Sequence, residues 1–113
     1  MKTVNKPWGK EELLAHNNKY AFKILCVNKG HRLSLQYHQK KIETMYVANG
    51  ILKVTKENNS GNLEEIICKI GSIIDIPAGI KHRIEALEDC TIFEASTPEL
   101  DDVVRLEDDY KRL

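Results

Sequence analysis

Between Tyr20 and Thr97 the sequence divides into short β-rich runs, closed by turn residues at intervals of about 8–12 residues. The runs fall at about 20–28 (YAFKILCVN), 32–38 (RLSLQYH), 43–49 (ETMYVAN), 51–57 (ILKVTKE), 63–70 (LEEIICKI), 72–76 (SIIDI), 82–87 (HRIEAL) and 90–97 (CTIFEAST). NNSGN at 58–62 is the strongest hairpin loop among them. No stretch inside this region keeps a helical period, so the pattern predicts an all-β sandwich or barrel with its core at about 19–97. Residues 1–18 read as a polar N-terminal arm with a turn at Pro7-Trp8-Gly9. The end, PELDDVVRLEDDYKRL, reads as a charged C-terminal tail with room for a helical turn after Pro98. Residues 1–113 are expected to form one domain.

Composition narrows the function classes. With 113 residues, 42% hydrophobic and 30% charged, the chain resembles an ordinary globular domain rather than a disordered one. A domain of this size buries roughly 60–70% of its unfolded surface and folds without staples. Seventeen basic residues balance seventeen acidic ones, which argues against a nucleic-acid surface. Cys26, Cys68 and Cys90 have no close spacing and are expected to be reduced, mostly buried thiols. The start, MKTVNKPWGKEELL, lacks the apolar run of a signal peptide, and no run is long enough to span a membrane. The cytoplasm is the expected location.

The chemistry lies in the setting of the histidines. Gln36 and His38 are two apart on an expected strand and therefore share a face. Glu43 follows after one turn, and His82 opens a later strand just beyond Pro77-Ala78-Gly79. Two imidazoles, a carboxylate and an amide oxygen converging inside a barrel would make a divalent-metal site with open positions. Spelled out, the spacing is Gly30-x5-Gln36-x-His38-x4-Glu43-x6-Gly50, then Gly71-x5-Pro77-x-Gly79-x2-His82. Four glycines and a proline in this register arise by chance at about one in a million per frame.

This pattern resembles the two-part signature of the cupin jelly-roll barrels, with Gln36 where many cupins have His and Ala86 at the usual terminal Asn. GHRLSLQYHQKKIETMYVANG and IPAGIKHRIE are similar to the type II mannose-6-phosphate isomerase cupins, found at the C-terminal end of bifunctional mannose-1-phosphate guanylyltransferases. That family's opening PWG is matched by Pro7-Trp8-Gly9, and its DD-[IV]-VRLED-x-YGR tail by residues 101–112. The resemblance implies that Gln36, His38, Glu43 and His82 hold a divalent metal, with zinc expected and manganese, iron, cobalt or nickel able to use the same ligands. It implies interconversion of mannose 6-phosphate and fructose 6-phosphate. The family's His-Trp after the metal glutamate is Thr44-Met45 here, which bears on substrate identity. The 113 residues leave no room for a nucleotidyltransferase domain, so nucleotide transfer is not expected of them.

Such a reaction needs cationic groups for the phosphate. Arg32 and Arg105 are the first candidates and Arg112 the next, since a guanidinium fork matches phosphate oxygens. Arg105, in the tail, is also the candidate catalytic residue. Pairing with the acidic residues of 101–109 is the simpler alternative for these arginines. His31, Lys40 and Lys81 are available for proton transfer, with none favoured. Trp8 is read as an anchor for the arm, or else as a wall of the sugar pocket, and Ile66, Cys68 and Ile70 as core or interface. A non-catalytic metal- or sugar-binding cupin, a cupin acting on another sugar substrate and an iron dioxygenase are the competing functions; an amide at position 36 weakens the last. Open strand edges make a homodimer the expected assembly.

Overall fold

A computed structural model describes residues 1–113, as eleven strands and no helix. They are β1 (Lys2–Lys6), β2 (Gly9–His16), β3 (Ala21–Val27), β4 (Leu35–Tyr37), β5 (Glu43–Asn49), β6 (Leu52–Glu57), β7 (Leu63–Cys68), β8 (Ile73–Ile76), β9 (His82–Ala86), β10 (Cys90–Ser96) and β11 (Val104–Glu107). Period-2 burial explains the inner ones. In β3, Ala21, Lys23, Leu25 and Val27 point inward and are buried, while Phe22, Ile24 and Cys26 are half-buried on the outer face. Strands β5 and β10 begin with the same inward alternation, through Glu43, Met45 and Val47 and through Cys90, Ile92, Glu94 and Ser96.

All pairings are antiparallel and form two sheets, β1-β2-β3-β10-β5-β8 and β11-β4-β9-β6-β7. This is the all-β jelly-roll expected from the sequence. The space between the sheets is divided. Leu25, Val47, Leu52, Val54, Ile76, Ile84 and Ile92 are at most 3% exposed and belong to the apolar core. Charged and polar side chains are buried as well: Lys23, His38, Lys41, Glu43, His82 and Glu94 are none of them more than 9% exposed.

Both chain ends differ from the reading of the sequence. The N-terminal arm is a hairpin in register from Lys2↔Leu13 to Lys6↔Gly9, and β2 continues onto β3. Trp8, 2% exposed, plugs the core at the hairpin turn. A Cβ on Gly9 would stand 1.9 Å from the Cys26 carbonyl oxygen, so only glycine lets the turn approach so closely. The tail had room for a helical turn after Pro98 but forms none. The tail instead pairs Val104 with Tyr37 and Arg105 with Gln36, because the open edge of β4 offers a ladder that one isolated helical turn cannot match. The run expected at 32–38 narrows to Leu35–Tyr37, although Arg32 keeps a bridge to Glu85. The run at 63–70 stops at Cys68, where Lys69–Ser72 turns (Ser72 N to Lys69 O, 3.0 Å). Cys68 is core, whereas Ile66 and Ile70 are exposed at that edge.

Beyond β11 the tail is tied down by side chains. The Tyr110 hydroxyl meets His31 Nδ1 at 2.7 Å, and Arg32 donates twice to Asp109, at 2.6 and 2.9 Å. Arg112 donates to Asp108 at 2.7 and 3.1 Å. The Arg112 hydrogen bond holds the Asp108 carboxyl down at about 2. A depressed carboxylate stabilises the fold above its unfolded value of about 4, and that contribution is lost as pH falls through its folded value. The Asp108–Arg112 contact within the tail therefore contributes fully above about pH 4 and fades towards pH 2. Arg112→Gln is expected to return the Asp108 titration towards about 4, measured from its carboxyl carbon by NMR.

Candidate metal centre

Three strand ends deliver the central side chains. His38 directly follows β4, Glu43 opens β5 and His82 opens β9. Glu43 Oε1 lies 3.1 Å from His38 Nε2 and 3.1 Å from His82 Nε2, and the two imidazole centroids are 5.1 Å apart. One ligand atom from each residue falls within a 4.8 Å group. The far nitrogens fix the protonation pattern. His82 Nδ1 is 2.9 Å from the Ile80 carbonyl and His38 Nδ1 bonds the Asp102 carbonyl. A carbonyl only accepts, so each Nδ1 carries a proton and donates it. Each Nε2 is then left as a lone pair facing a carboxylate, unless a second proton sits there. Three buried acceptors meeting at one point require a positive charge between them, and a divalent cation fits that requirement.

The backbone around these ligands is cross-tied. Gly79, at φ +82°, donates its N–H to the His38 carbonyl at 2.7 Å, which joins the Pro77-Ala78-Gly79 turn to the other half of the site. Asp102 clasps the loop between two ligands. Its carboxylate accepts the backbone N–H groups of Gln39, Lys40 and Lys41 at 3.0, 2.7 and 2.9 Å. Those bonds, Lys40 and Lys41 foremost, pull the Asp102 carboxyl down to about 2.

Charge is distributed with care around Glu43. Burial works against its ionisation, but its close polar contacts with His38, His82 and Glu94 and the charge of Lys41 hold its carboxyl well below the usual range. Lys41 Nζ stands 3.5 Å from Glu43 and 3.3 Å from Glu94. Glu94 is pushed up to about 8, by burial first and then by Glu43. Gln36 pairs across the sheet with His82, and its Oε1 accepts a hydrogen bond from the Ser34 hydroxyl at 2.7 Å. The structure thus brings His38, Glu43 and His82 together and sets Gln36 beside them.

A cavity of about 300 Å³ opens from this point. Gln36, His38 and Glu43 line its inner end, and β1, β2, β11 and Arg112 line its outer part. Arg105 projects into it with a buried Nε that has no hydrogen-bond partner. Arg32 is not part of the wall; its guanidinium is taken by Asp109. His31, Lys40 and Lys81 are likewise outside it. Trp8 is a core residue at the hairpin turn and also lines the cavity. Asp102, Lys41, Glu94 and the lysines of β1 were not singled out from the sequence. The only signal for β1 was the alternation of Lys2, Val4 and Lys6.

The family model described as mannose-6-phosphate isomerase C-terminal matches residues 1–108. The chain belongs to that family. A mannose-1-phosphate guanylyltransferase of Escherichia coli strain K12 is 33% identical over 115 residues, covering 97% of this chain and 23% of the relative. The alginate biosynthesis protein AlgA of Pseudomonas aeruginosa is 31% identical over 114 residues, covering 96% and 23%. The chain therefore spans under a quarter of the length of these relatives. Among solved structures, KdgF from Halomonas sp. superimposes with a TM-score of 0.78 at 19% identity, covering 89% of this chain and 91% of that one. Oxalate decarboxylase from Bacillus subtilis gives 0.83 at 18% identity, covering 93% and 30%. These likenesses establish the cupin fold. Within the family frame, Thr44 turns outward and donates to Asp75 at 2.8 Å, whereas Met45 is 2% exposed and lines a small pocket beside Gln36, Glu43 and His82.

Asp102→Ala leaves three loop N–H groups without their acceptor and loosens the carbonyl that orients His38. Affinity for a divalent cation is expected to fall about 10–100-fold, measured by competition with a chelating dye.

Proposed function

We propose that this chain is a metal-dependent aldose–ketose isomerase that interconverts mannose 6-phosphate and fructose 6-phosphate. The observation that carries the reading is one cavity lined by His38 and Glu43, two members of the His38–Glu43–His82 convergence, and by Arg105, a guanidinium with no ion-pair partner. Zinc is the resident cation in this proposal, held by those three side chains with Gln36 as the neighbouring fourth donor; manganese, iron, cobalt or nickel fit the same donor set. A divalent cation there supplies Lewis acidity, worth several kcal/mol wherever an oxygen gains negative charge.

The chain's residues account for the other demands. Isomerisation moves the C2 proton to C1 and the O2 proton to O1, so negative charge builds on two adjacent oxygens. Arg105, one strand from Gln36, offers a charged donor to that charge or to the phosphate. Arg112 approaches from the tail, and Arg32 serves the site by holding that tail through Asp109. The wall from Trp8, Leu25 and Leu33 limits water around the sugar. A sugar-binding cupin without turnover is the second reading, favoured by the flexible Met45 beside the ligands. Two copies pairing at the β7–β8 edge are the assembly this reading carries, supported by exposed Ile66, Ile70 and Ile73.

With zinc-loaded protein, a coupled assay is expected to detect interconversion, and Arg105→Ala is expected to lower kcat/KM about 100-fold or more. Absence of turnover on hexose phosphates at full metal occupancy overturns the isomerase reading. Stabilisation by the sugar phosphate without turnover favours the binding one.

A further inference from the structure

The cavity opens between the edge strands of the two sheets, β1 on one side and β11 on the other. Alternation turns Lys2, Val4 and Lys6 of β1 into it, opposite Arg105 of β11. Most cations around the cavity already have carboxylates. Lys23 meets Glu11 at 3.3 Å, Lys41 is shared by Glu43 and Glu94, and Arg112 meets Asp108 at 2.7 Å. Lys2, Lys6 and Arg105 have no carboxylate within 4.0 Å, and Arg105 Nε is both buried and unpartnered. Lys6 and Arg105 are half-buried and Lys2 is exposed, and Asp101 is the one carboxylate of the lining without a cation of its own, so the opening keeps a net positive charge that an entering anion would neutralise. Lysines on an edge strand also discourage strand pairing, a role that exposed Lys2 can share, but it asks for side chains turned to solvent, and Lys6 is half-buried on the cavity side.

Register places these lysines relative to the metal ligands. Lys2 pairs with Leu13, Leu13 with Lys23 and Lys23 with Glu94, so Lys2 is level with the charged floor next to Glu43. Lys6, four residues on, stands roughly 13 Å further along the strand, level with Val27.

We propose that β1 is the second jaw of an anion clamp, in which Lys2 and Lys6 face Arg105 and hold the phosphate of a phosphorylated sugar. The inference rests on the sugar-phosphate reading of the cavity but not on turnover. It extends that reading to a strand with no metal ligand, and makes the hairpin the part of the fold that separates phosphorylated from neutral sugars.

The test is calorimetry on zinc-loaded protein with mannose 6-phosphate, inorganic phosphate and neutral mannose as probes. A Lys2→Gln/Lys6→Gln double variant is expected to bind both phosphorylated and inorganic probes at least tenfold more weakly, with mannose binding unchanged. Lys2→Arg/Lys6→Arg should restore most of the loss. Lys10→Ala, on the outward face of the same hairpin and 3.1 Å from Glu12, should bind as the parent does. Trp8 fluorescence and the melting midpoint check that the hairpin remains docked. Where the parent shows no turnover yet binds phosphate in a lysine-dependent way, the isomerase reading falls and the clamp stands. Unchanged phosphate affinity in the folded double variant, or no binding of either anionic probe by the parent, overturns the clamp.

Discussion

A carboxylate only 3% exposed, with two imidazole nitrogens 3.1 Å from one of its oxygens, is an arrangement that a protein interior tolerates only with positive charge at its centre. Much of the upper half of the molecule follows from meeting that condition. Backbone carbonyls of Ile80 and Asp102 fix both histidines in the tautomer that presents a lone pair inward. Lys41 supplies a fixed charge on the far side of Glu43, and Glu94 takes up a compensating position beside it. The turn at Gly79 and the clasp at Asp102 hold the backbone that carries His38, Glu43 and His82.

The sheets answer a second demand, that a wet, charged pocket share one small interior with a dry core. The jelly roll satisfies it by varying the chemistry along each strand rather than between strands. In β10 the inward series runs Cys90, Ile92, Glu94, Ser96, from apolar packing to the ligand end, and in β5 the order Val47, Met45, Glu43 makes the same passage in the opposite chain direction. Antiparallel pairing lines these gradients up, and the core and the pocket each become continuous across the sheet.

This organisation also explains which parts were readable in the sequence. The inner strands have one face on apolar core, so β3, β5, β6, β9 and β10 announced themselves within a residue or two of their observed limits. The convergence of His38, Glu43 and His82 was legible because each of the three is tied to a local turn or strand start. Strand β1 was not, since its inward residues face a polar cavity and Lys2-Thr3-Val4-Asn5-Lys6 has no apolar face to detect. Strand β11 was hidden for a similar reason, being a short, charged edge that needs β4 to define it. The capture of Arg32 by Asp109 and the clasp of Asp102 on residues 39–41 join positions 77 and about 60 residues apart, and no local pattern encodes such partners.

The hairpin and the tail bring both chain ends to the same opening. Lys2 and Arg112 stand in one cavity wall, each within two residues of an end of the sequence. A polypeptide joined at either end thus emerges at the threshold of the ligands rather than on a remote surface. A polyhistidine purification tag placed there would hold extra imidazoles at high local concentration beside a centre that itself gathers imidazoles. Which end carries such a tag, and on how long a linker, becomes a chemical variable of the site.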